Sequence, residues 1–132
     1  MVLSNGLERI GDTAFGKCSS LATIKIPESV IEIEPYAFSR CYSLESVVIP
    51  QNVNIMGRSI FFDCTNLVRA DFYNNISKIP EYTFENCFNL ELLRIFSDMS
   101  ADLSSNAFLG CESIISIVHA IDSDYDGVID TV

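Results

Sequence analysis

The chain has 132 residues, of which 48% are hydrophobic, and its 8 basic and 18 acidic side chains give a net charge of −10. This length fits one small domain, and the hydrophobic fraction is too high for a disordered chain. The negative charge argues against nucleic acid and anionic membranes as partners. No apolar run reaches the roughly 18–20 residues of a membrane helix, so we expect no membrane insertion.

The five cysteines recur at a nearly fixed step of 23, 23, 23 and 24 residues. A phenylalanine lies three residues before each cysteine, and a leucine or isoleucine lies three residues after it. The columns are Phe15, Phe38, Phe61, Phe84 and Phe108; Cys18, Cys41, Cys64, Cys87 and Cys111; Leu21, Leu44, Leu67, Leu90 and Ile114. Such a period predicts a repeat architecture, in which each unit buries its apolar face only against its neighbours.

Each unit is expected to begin with turns and to continue into a strand. Residues 14–36 read A-F-x-x-C-x-x-L-x-x-I-x-I-P-x-x-V-x-x-I-x-x-x. Apolar residues three apart suit tight turns that bring every third side chain inward. The alternation of Ile24 and Ile26 predicts a half-buried strand that ends at Pro27. The later strand pairs are Val47/Ile49, Ala70/Phe72, Leu93/Ile95 and Ile117/His119.

A second apolar pair follows each strand and predicts a second buried column. Its members are Leu7/Ile10, Val30/Ile33, Val53/Met56 and Ile76/Ile79, after which the pattern blurs into Met99 and Leu103. The stacked units are expected to align their strands as one parallel sheet, about 4.8 Å apart. The residues near Leu7 offer no polar cap, which predicts either further repeats or a homodimer through uncapped solenoid ends.

The cysteine spacing bears on what the thiols do. Zinc sites use cysteines two to four residues apart, whereas a step of 23 places one thiol on each coil. We expect a column of buried, reduced cysteines that pack as small hydrophobes and donate S–H to turn carbonyls. Disulfides between adjacent coils stay open on distance alone. A catalytic thiol would need an activating histidine, and the only histidine is His119, so we expect no enzyme.

The phrases AFGKCSSLATIKIP and AFSRCYSLESVVIP resemble the BspA-like leucine-rich repeats, also called the Treponema pallidum type. The resemblance spans residues 6 to about 119, although the third and fourth units lack the proline after their strands. It implies an α/β-type but mostly β solenoid: a right-handed arc of about five 23-residue coils, with the parallel sheet on the concave face. It also implies a non-enzymatic, adhesin-like protein-interaction module of a cell-surface or secreted protein, although no signal peptide is seen at the start of the sequence.

The concave sheet is the usual binding surface of leucine-rich repeats, so its outward positions are candidate partner contacts. Three of the eight basic residues fall there, and two aromatic residues follow just past the strands. Aromatic and arginine side chains dominate interface energetics. The predicted partner-binding residues are Lys25, Arg69, Asp71, Tyr73, Arg94 and Phe96. The alternative interpretation, ordinary solvated sheet positions, stays open.

Residues 1–119 form the predicted repeat domain, and residues 120–132 form an acidic tail that resembles part of a calcium loop. Its alternate aspartates, followed by Gly127, match the first half of an EF-hand, dockerin or thrombospondin-type loop, but the bidentate acid at position 12 is missing. The predicted metal ligands are Asp122, Asp124, Asp126, Val128 and Asp130. We expect no cofactor other than weakly bound calcium. A calcium-linked structural or docking module is the alternative function, and a metal-free solvated tail is the alternative interpretation.

Overall fold

The computed structural model describes residues 1–74, 76–96, 102–103 and 106–119. Over these ranges the chain consists of short parallel strands joined by turns, without a helix. The strands are β1 (Arg9–Ile10), β2 (Glu32–Ile33), β3 (Ser46–Ile49), β4 (Ile55–Met56), β5 (Arg69–Phe72), β6 (Lys78–Ile79), β7 (Leu92–Ile95), β8 (Asp102–Leu103) and β9 (Ser116–His119). The predicted mostly β solenoid is confirmed.

The main sheet has the order β3-β5-β7-β9 and follows the sequence period. Residue Arg69 pairs with Ser46 on one side and with Leu92 on the other, in steps of 23. The last step is 24, because Leu92 pairs with Ser116. Residues one period apart are therefore neighbours in space, and this places the candidate site.

The first predicted strand, around Ile24 and Ile26, differs from the other four. It makes only an isolated bridge, in which Lys25 pairs with Val2 and the Lys25 amide donates to the Met1 carbonyl at 3.2 Å. The main sheet thus has four strands where the pattern predicts five, and the segment around Lys25 is bridged to Val2 outside that sheet. The solenoid prediction holds because the inward side chains Ile24 and Ile26 still join the core.

The second apolar column forms a second strip of two-residue strands, in the orders β1-β2-β4 and β6-β8. The residues Ile10, Ile33 and Ile79 of this strip are at most 2% exposed. The core lies between this strip and the main sheet, where one contiguous cluster contains the buried phenylalanine, cysteine and leucine columns.

The turn segments confirm the expected tight arcs. In the first coil, the Cys18 amide donates to the Phe15 carbonyl and the Leu21 amide donates to the Cys18 carbonyl, both at 3.1 Å. Thr13 (φ 55°) and Lys17 (φ 62°) are left-handed, and so are their counterparts Tyr36, Arg40, Ser59, Asp63, Tyr82 and Asn86. Left-handed backbone costs roughly 1–2 kcal/mol per non-glycine residue, so stacking between coils has to hold these turns in place.

The phenylalanine column is a continuous ladder of stacked rings. Successive centroids from Phe15 to Phe108 lie 5.3, 5.7, 5.6 and 5.6 Å apart, with interplanar angles of 3–16°. The three central rings, Phe38, Phe61 and Phe84, are fully buried. The predicted superposition of these side chains along one axis is confirmed.

The cysteine column is reduced, and its thiols form hydrogen bonds between adjacent coils. Four of the five Sγ atoms donate to the phenylalanine carbonyl of the preceding coil at 3.0–3.2 Å: Cys41 to Phe15, Cys64 to Phe38, Cys87 to Phe61 and Cys111 to Phe84. All five thiols are free. Burial raises the pKa of Cys87 well above its ordinary value and that of Cys111 to about 11. Cys87 and Cys111 therefore favour the protonated, unreactive thiol.

These raised pKa values predict that the fold loses stability in alkali. The folded state holds the thiol protons more tightly than the unfolded chain, so the stabilisation is complete below pH ~8.5 and is lost as pH rises toward the folded pKa, about 11 for Cys111. Urea unfolding between pH 7.5 and 10.5 measures this slope. The Cys87→Ala/Cys111→Ala variant is expected to have a shallower slope, and an unchanged slope would rule out the thiols as its source.

Gly57 lies close against Pro35 of the preceding coil. A Cβ there would overlap the Pro35 nitrogen and would come within 2.5 and 2.7 Å of the Pro35 Cδ and Cγ. Gly57→Ala is therefore expected to force two coils apart and to destabilise the protein by more than 2 kcal/mol, an overpacking effect. Thermal unfolding of this variant beside Gly6→Ala, which meets no atom within 4 Å, checks the expectation. Equal melting temperatures would contradict it.

Candidate functional site

The outer face of the main sheet carries most of the predicted partner-binding residues. The alternation of the strands sends Val47, Ala70 and Leu93 into the core, and the residues on either side of each point outward. Ser46, Val48 and Arg69 are exposed as expected. Asp71 and Arg94 are only 1% and 8% exposed, so they differ from the expectation of an open row.

An ion triad explains why these two outward residues are buried. Register places Asp71 directly beside Arg94, and Arg69 lies two positions earlier on the same face. Arg94 holds the Asp71 carboxylate in a bidentate pair, with Nε–Oδ1 at 2.8 Å and Nη2–Oδ2 at 2.7 Å. Arg69 Nη2 lies 3.1 Å from the same Oδ2. Two cations against one anion leave the triad with a net charge of +1.

Two stacked aromatic rings adjoin the triad just after β5 and β7. Tyr73 and Phe96 stack with centroids 4.4 Å apart and planes within 3°. The Arg94 guanidinium lies 5.1 Å from the Phe96 ring centre, which is a cation–π contact. Tyr73 is 9% exposed and Phe96 is half-buried. We call Arg69, Asp71, Tyr73, Arg94 and Phe96 the Arg–aromatic cluster.

A groove of about 830 Å³ adjoins the cluster on the side where the strands begin. Its lining residues come from three successive coils and are Glu45, Ser46, Asn66, Val68, Arg69, Asn89 and Glu91. The Val68 side chain is exposed, and the residue is 40% accessible. Arg69 belongs to both the groove and the Arg–aromatic cluster, so the two features form one continuous surface.

The structure brings together five of the six predicted partner-binding residues. Lys25 is exposed but lies two coils from Asp71, in the bridged position, and it does not join the cluster. The predicted calcium ligands at 122–130 lie outside the described residues. Within the described ranges, no group of three or more His, Cys, Asp or Glu side chains could hold a metal ion. No helix in that part of the chain could cross a membrane.

Sequence reasoning missed the groove residues Glu45, Val68 and Glu91. They occupy the position just before each strand, where the repeat keeps no fixed residue type: the column reads Ala22, Glu45, Val68, Glu91 and Ile115. The signal that would have found them is the period itself. Residues 23 apart become neighbours on adjacent strands, so a column that alternates acid and apolar residues in the sequence places those side chains next to each other on the surface.

Comparison with known proteins gives a family and a fold. Residues 1–115 match the family model described as the BspA type leucine rich repeat region, in six copies. The chain is similar to the crystal structure of the T. pallidum leucine rich repeat protein, with 33% identity and a TM-score of 0.78 over 85% of this chain and 52% of that one. It therefore spans about half of that protein.

Two further solved structures are similar. A leucine-rich repeat protein from Eubacterium ventriosum has 24% identity and a TM-score of 0.81, over 89% of this chain and 32% of that one. A leucine rich cell surface protein from Faecalibacterium prausnitzii has 25% identity and a TM-score of 0.52, over 88% and 35%. This chain spans about a third of each. No curated protein matches it.

Proposed function

This chain belongs to the BspA-type leucine-rich repeat family, and we propose that it is a non-enzymatic module that binds a protein partner on the concave face of its main sheet. Leucine-rich repeat solenoids are scaffolds for protein interaction, and their extended concave surfaces are where partners bind. The observation that carries the proposal is the Arg–aromatic cluster on this face, because arginine and aromatic side chains dominate the energetics of protein interfaces.

The cluster is already ordered, which favours binding. The bidentate pair with Asp71 fixes Arg94, and stacking fixes Tyr73 against Phe96. Immobilising a rotamer-rich side chain on association costs roughly 0.5–1.5 kcal/mol, and a pre-ordered side chain avoids most of that cost. The half-buried Phe96 and the half-exposed Arg69 offer an apolar contact and a charge next to each other.

We also propose a cell-surface or secreted, adhesin-like role. The support is the similarity to the Faecalibacterium prausnitzii protein, which is described as a leucine rich cell surface protein. The partner of such a module would be an extracellular protein.

Surface plasmon resonance against a panel of extracellular matrix proteins tests the proposal. Arg69→Glu and Phe96→Ala are expected to weaken any specific binding at least tenfold, as hot-spot losses do. The matched controls are Arg58→Glu and Phe88→Ala, which change the same residue types at exposed positions outside the cluster. Equal losses in all four variants, or none in the first two, would contradict binding at the concave face.

Calcium binding by the acidic tail stays a prediction. The ligand set Asp122, Asp124, Asp126, Val128 and Asp130 is expected to bind with a dissociation constant of about 10⁻⁴–10⁻³ M, because the bidentate acid is missing. Isothermal titration with calcium measures this, and Asp124→Asn/Asp126→Asn is expected to abolish the heat. The absence of heat from the unaltered chain at millimolar calcium would leave only an acidic tail.

A further inference from the structure

The groove beside the Arg–aromatic cluster combines charge and shape in a way that selects one kind of side chain. Glu45, Val68 and Glu91 occupy the same repeat position on three successive coils, so they form a column in the order acid, apolar, acid. Adjacent strands lie about 4.8 Å apart, so the two glutamate backbones are roughly 10 Å apart across the valine. The column is continuous with the face proposed above for a protein partner.

The glutamates have no internal counterion within the described part of the chain. Both are exposed, and neither carboxylate is within ion-pair distance of a basic side chain there. Their backbone carbonyls are engaged: Glu45 accepts from Val68 and Glu91 accepts from Ile115, each at 2.8–2.9 Å. The positions of the two residues are therefore fixed, while their charges remain available.

The one cation that lines the groove does not neutralise them. Arg69 Nη2 is directed at Asp71 Oδ2, 3.1 Å away. The seven lining residues carry one positive and two negative charges, and the whole chain carries −10. The local and the overall field therefore both attract a cation.

The shape of the groove distinguishes a lysine or arginine from a free metal ion. Val68 offers an exposed apolar floor between the acids, against which the methylene stem of a long basic side chain can pack. The exposed amides Asn66 and Asn89 line the same groove and can accept hydrogen bonds from the donors of a guanidinium or ammonium group.

We propose that this groove takes a lysine or arginine side chain from a basic segment of the protein partner, with the stem on Val68 and the charge between Glu45 and Glu91. This proposal rests on the proposed function and specifies the protein partner. The partner's contact segment would carry a basic residue next to the groups that contact Arg69 and Phe96.

Three peptides, acetyl-Gly-Arg-Gly-amide and its citrulline and glutamate counterparts, test the proposal on the full chain by ¹⁵N NMR. Citrulline keeps the shape of arginine but removes its charge. The arginine peptide is expected to give saturable shifts at the amides of Glu45, Val68 and Glu91, and the other two peptides are not. Glu45→Gln/Glu91→Gln is expected to weaken binding roughly twofold to thirtyfold, the size of two exposed ion pairs. Raising the salt concentration is expected to weaken binding too.

The control variant Glu8→Gln/Glu112→Gln removes two exposed acids elsewhere, so its net charge equals that of the Glu45→Gln/Glu91→Gln variant. It is expected to bind the arginine peptide like the unaltered chain. Equal binding of the citrulline and arginine peptides, or equal behaviour of the two double variants, would overturn the proposal. If matrix-protein binding still depends on Arg69 and Phe96 in that case, the concave-face function stands and only the basic segment is wrong.

Discussion

Replacing Phe61 by alanine is expected to lower the free energy of unfolding by about 3–5 kcal/mol. The ring is fully buried, and it stacks between Phe38 at 5.7 Å and Phe84 at 5.6 Å. The flanking coils cannot close the resulting cavity, because backbone hydrogen bonds fix their separation, for example from the Phe61 amide to the Thr83 carbonyl at 2.9 Å. Urea unfolding followed by circular dichroism measures the loss.

Phe88→Ala is the matched control for this change. Phe88 lies in the next coil and is 43% exposed, outside the ring ladder. Its loss is expected to change stability by no more than about 0.5 kcal/mol, as for most surface substitutions. Similar losses in the two variants would show that the phenylalanine column is not the core of the stack.

Replacing Arg94 by alanine is expected to cost about 3–5 kcal/mol, because it removes the main counterion of a buried carboxylate. The Asp71 side chain is 2% exposed, and two of its three short contacts with arginine come from Arg94. The remaining partner, Arg69, has a side chain that is 46% exposed, so its pairing with Asp71 is screened by solvent. Chemical unfolding of the variant measures the loss.

The matched variants separate ion pairing from packing. Arg69→Ala is expected to cost about 1 kcal/mol or less, because its guanidinium is half-exposed. Asp71→Ala/Arg94→Ala is expected to be less destabilised than the sum of its single variants, since it leaves no unpaired buried charge. Strict additivity, or an Arg94→Ala cost as small as that of Arg69→Ala, would contradict the triad as the structural centre of the site.

The period of the sequence was enough to predict the architecture. Cysteine, phenylalanine and leucine at a fixed step place one of each on every coil, and the strands then follow from alternation at pairs such as Val47 and Ile49. The inward direction of the thiols was also predictable, since a small hydrophobe recurring within an apolar column belongs in the core. These inferences depend on local pattern and steric fit, which a sequence carries directly.

The burial of the site was not predictable in the same way. Alternation correctly sends Asp71 and Arg94 away from the core, but it does not reveal that they bury each other. That outcome depends on side chains from adjacent coils meeting, Asp71 with Arg94 and Arg94 with the Phe96 ring. The proline that ends the earlier strands is replaced there by these two rings, so the departure from the repeat marks the place where the cluster forms.

The sequence pattern likewise did not predict that the first strand would be short. Ile24 and Ile26 satisfy the strand rule as well as any later pair, yet the segment makes only one bridge. Strand length depends on what lies on both sides of the segment, and here the contacts on one side are a single bridge to Val2 and a hydrogen bond to the Met1 carbonyl. Pattern predicts which residues face the core, whereas ladder length depends on the partners available.

The central claim is that the chain forms one coil per 23 residues and that the coils stack in register. Nuclear Overhauser effects between the phenylalanine rings test this claim most directly. With ring-labelled phenylalanine assigned by single Phe→Leu variants, we expect cross-peaks that link Phe15 to Phe38, Phe38 to Phe61, Phe61 to Phe84 and Phe84 to Phe108, because those centroids lie 5.3–5.7 Å apart. Rings two periods apart should show none. Missing links between rings one period apart, or links that skip a coil, would contradict the register on which the concave site depends.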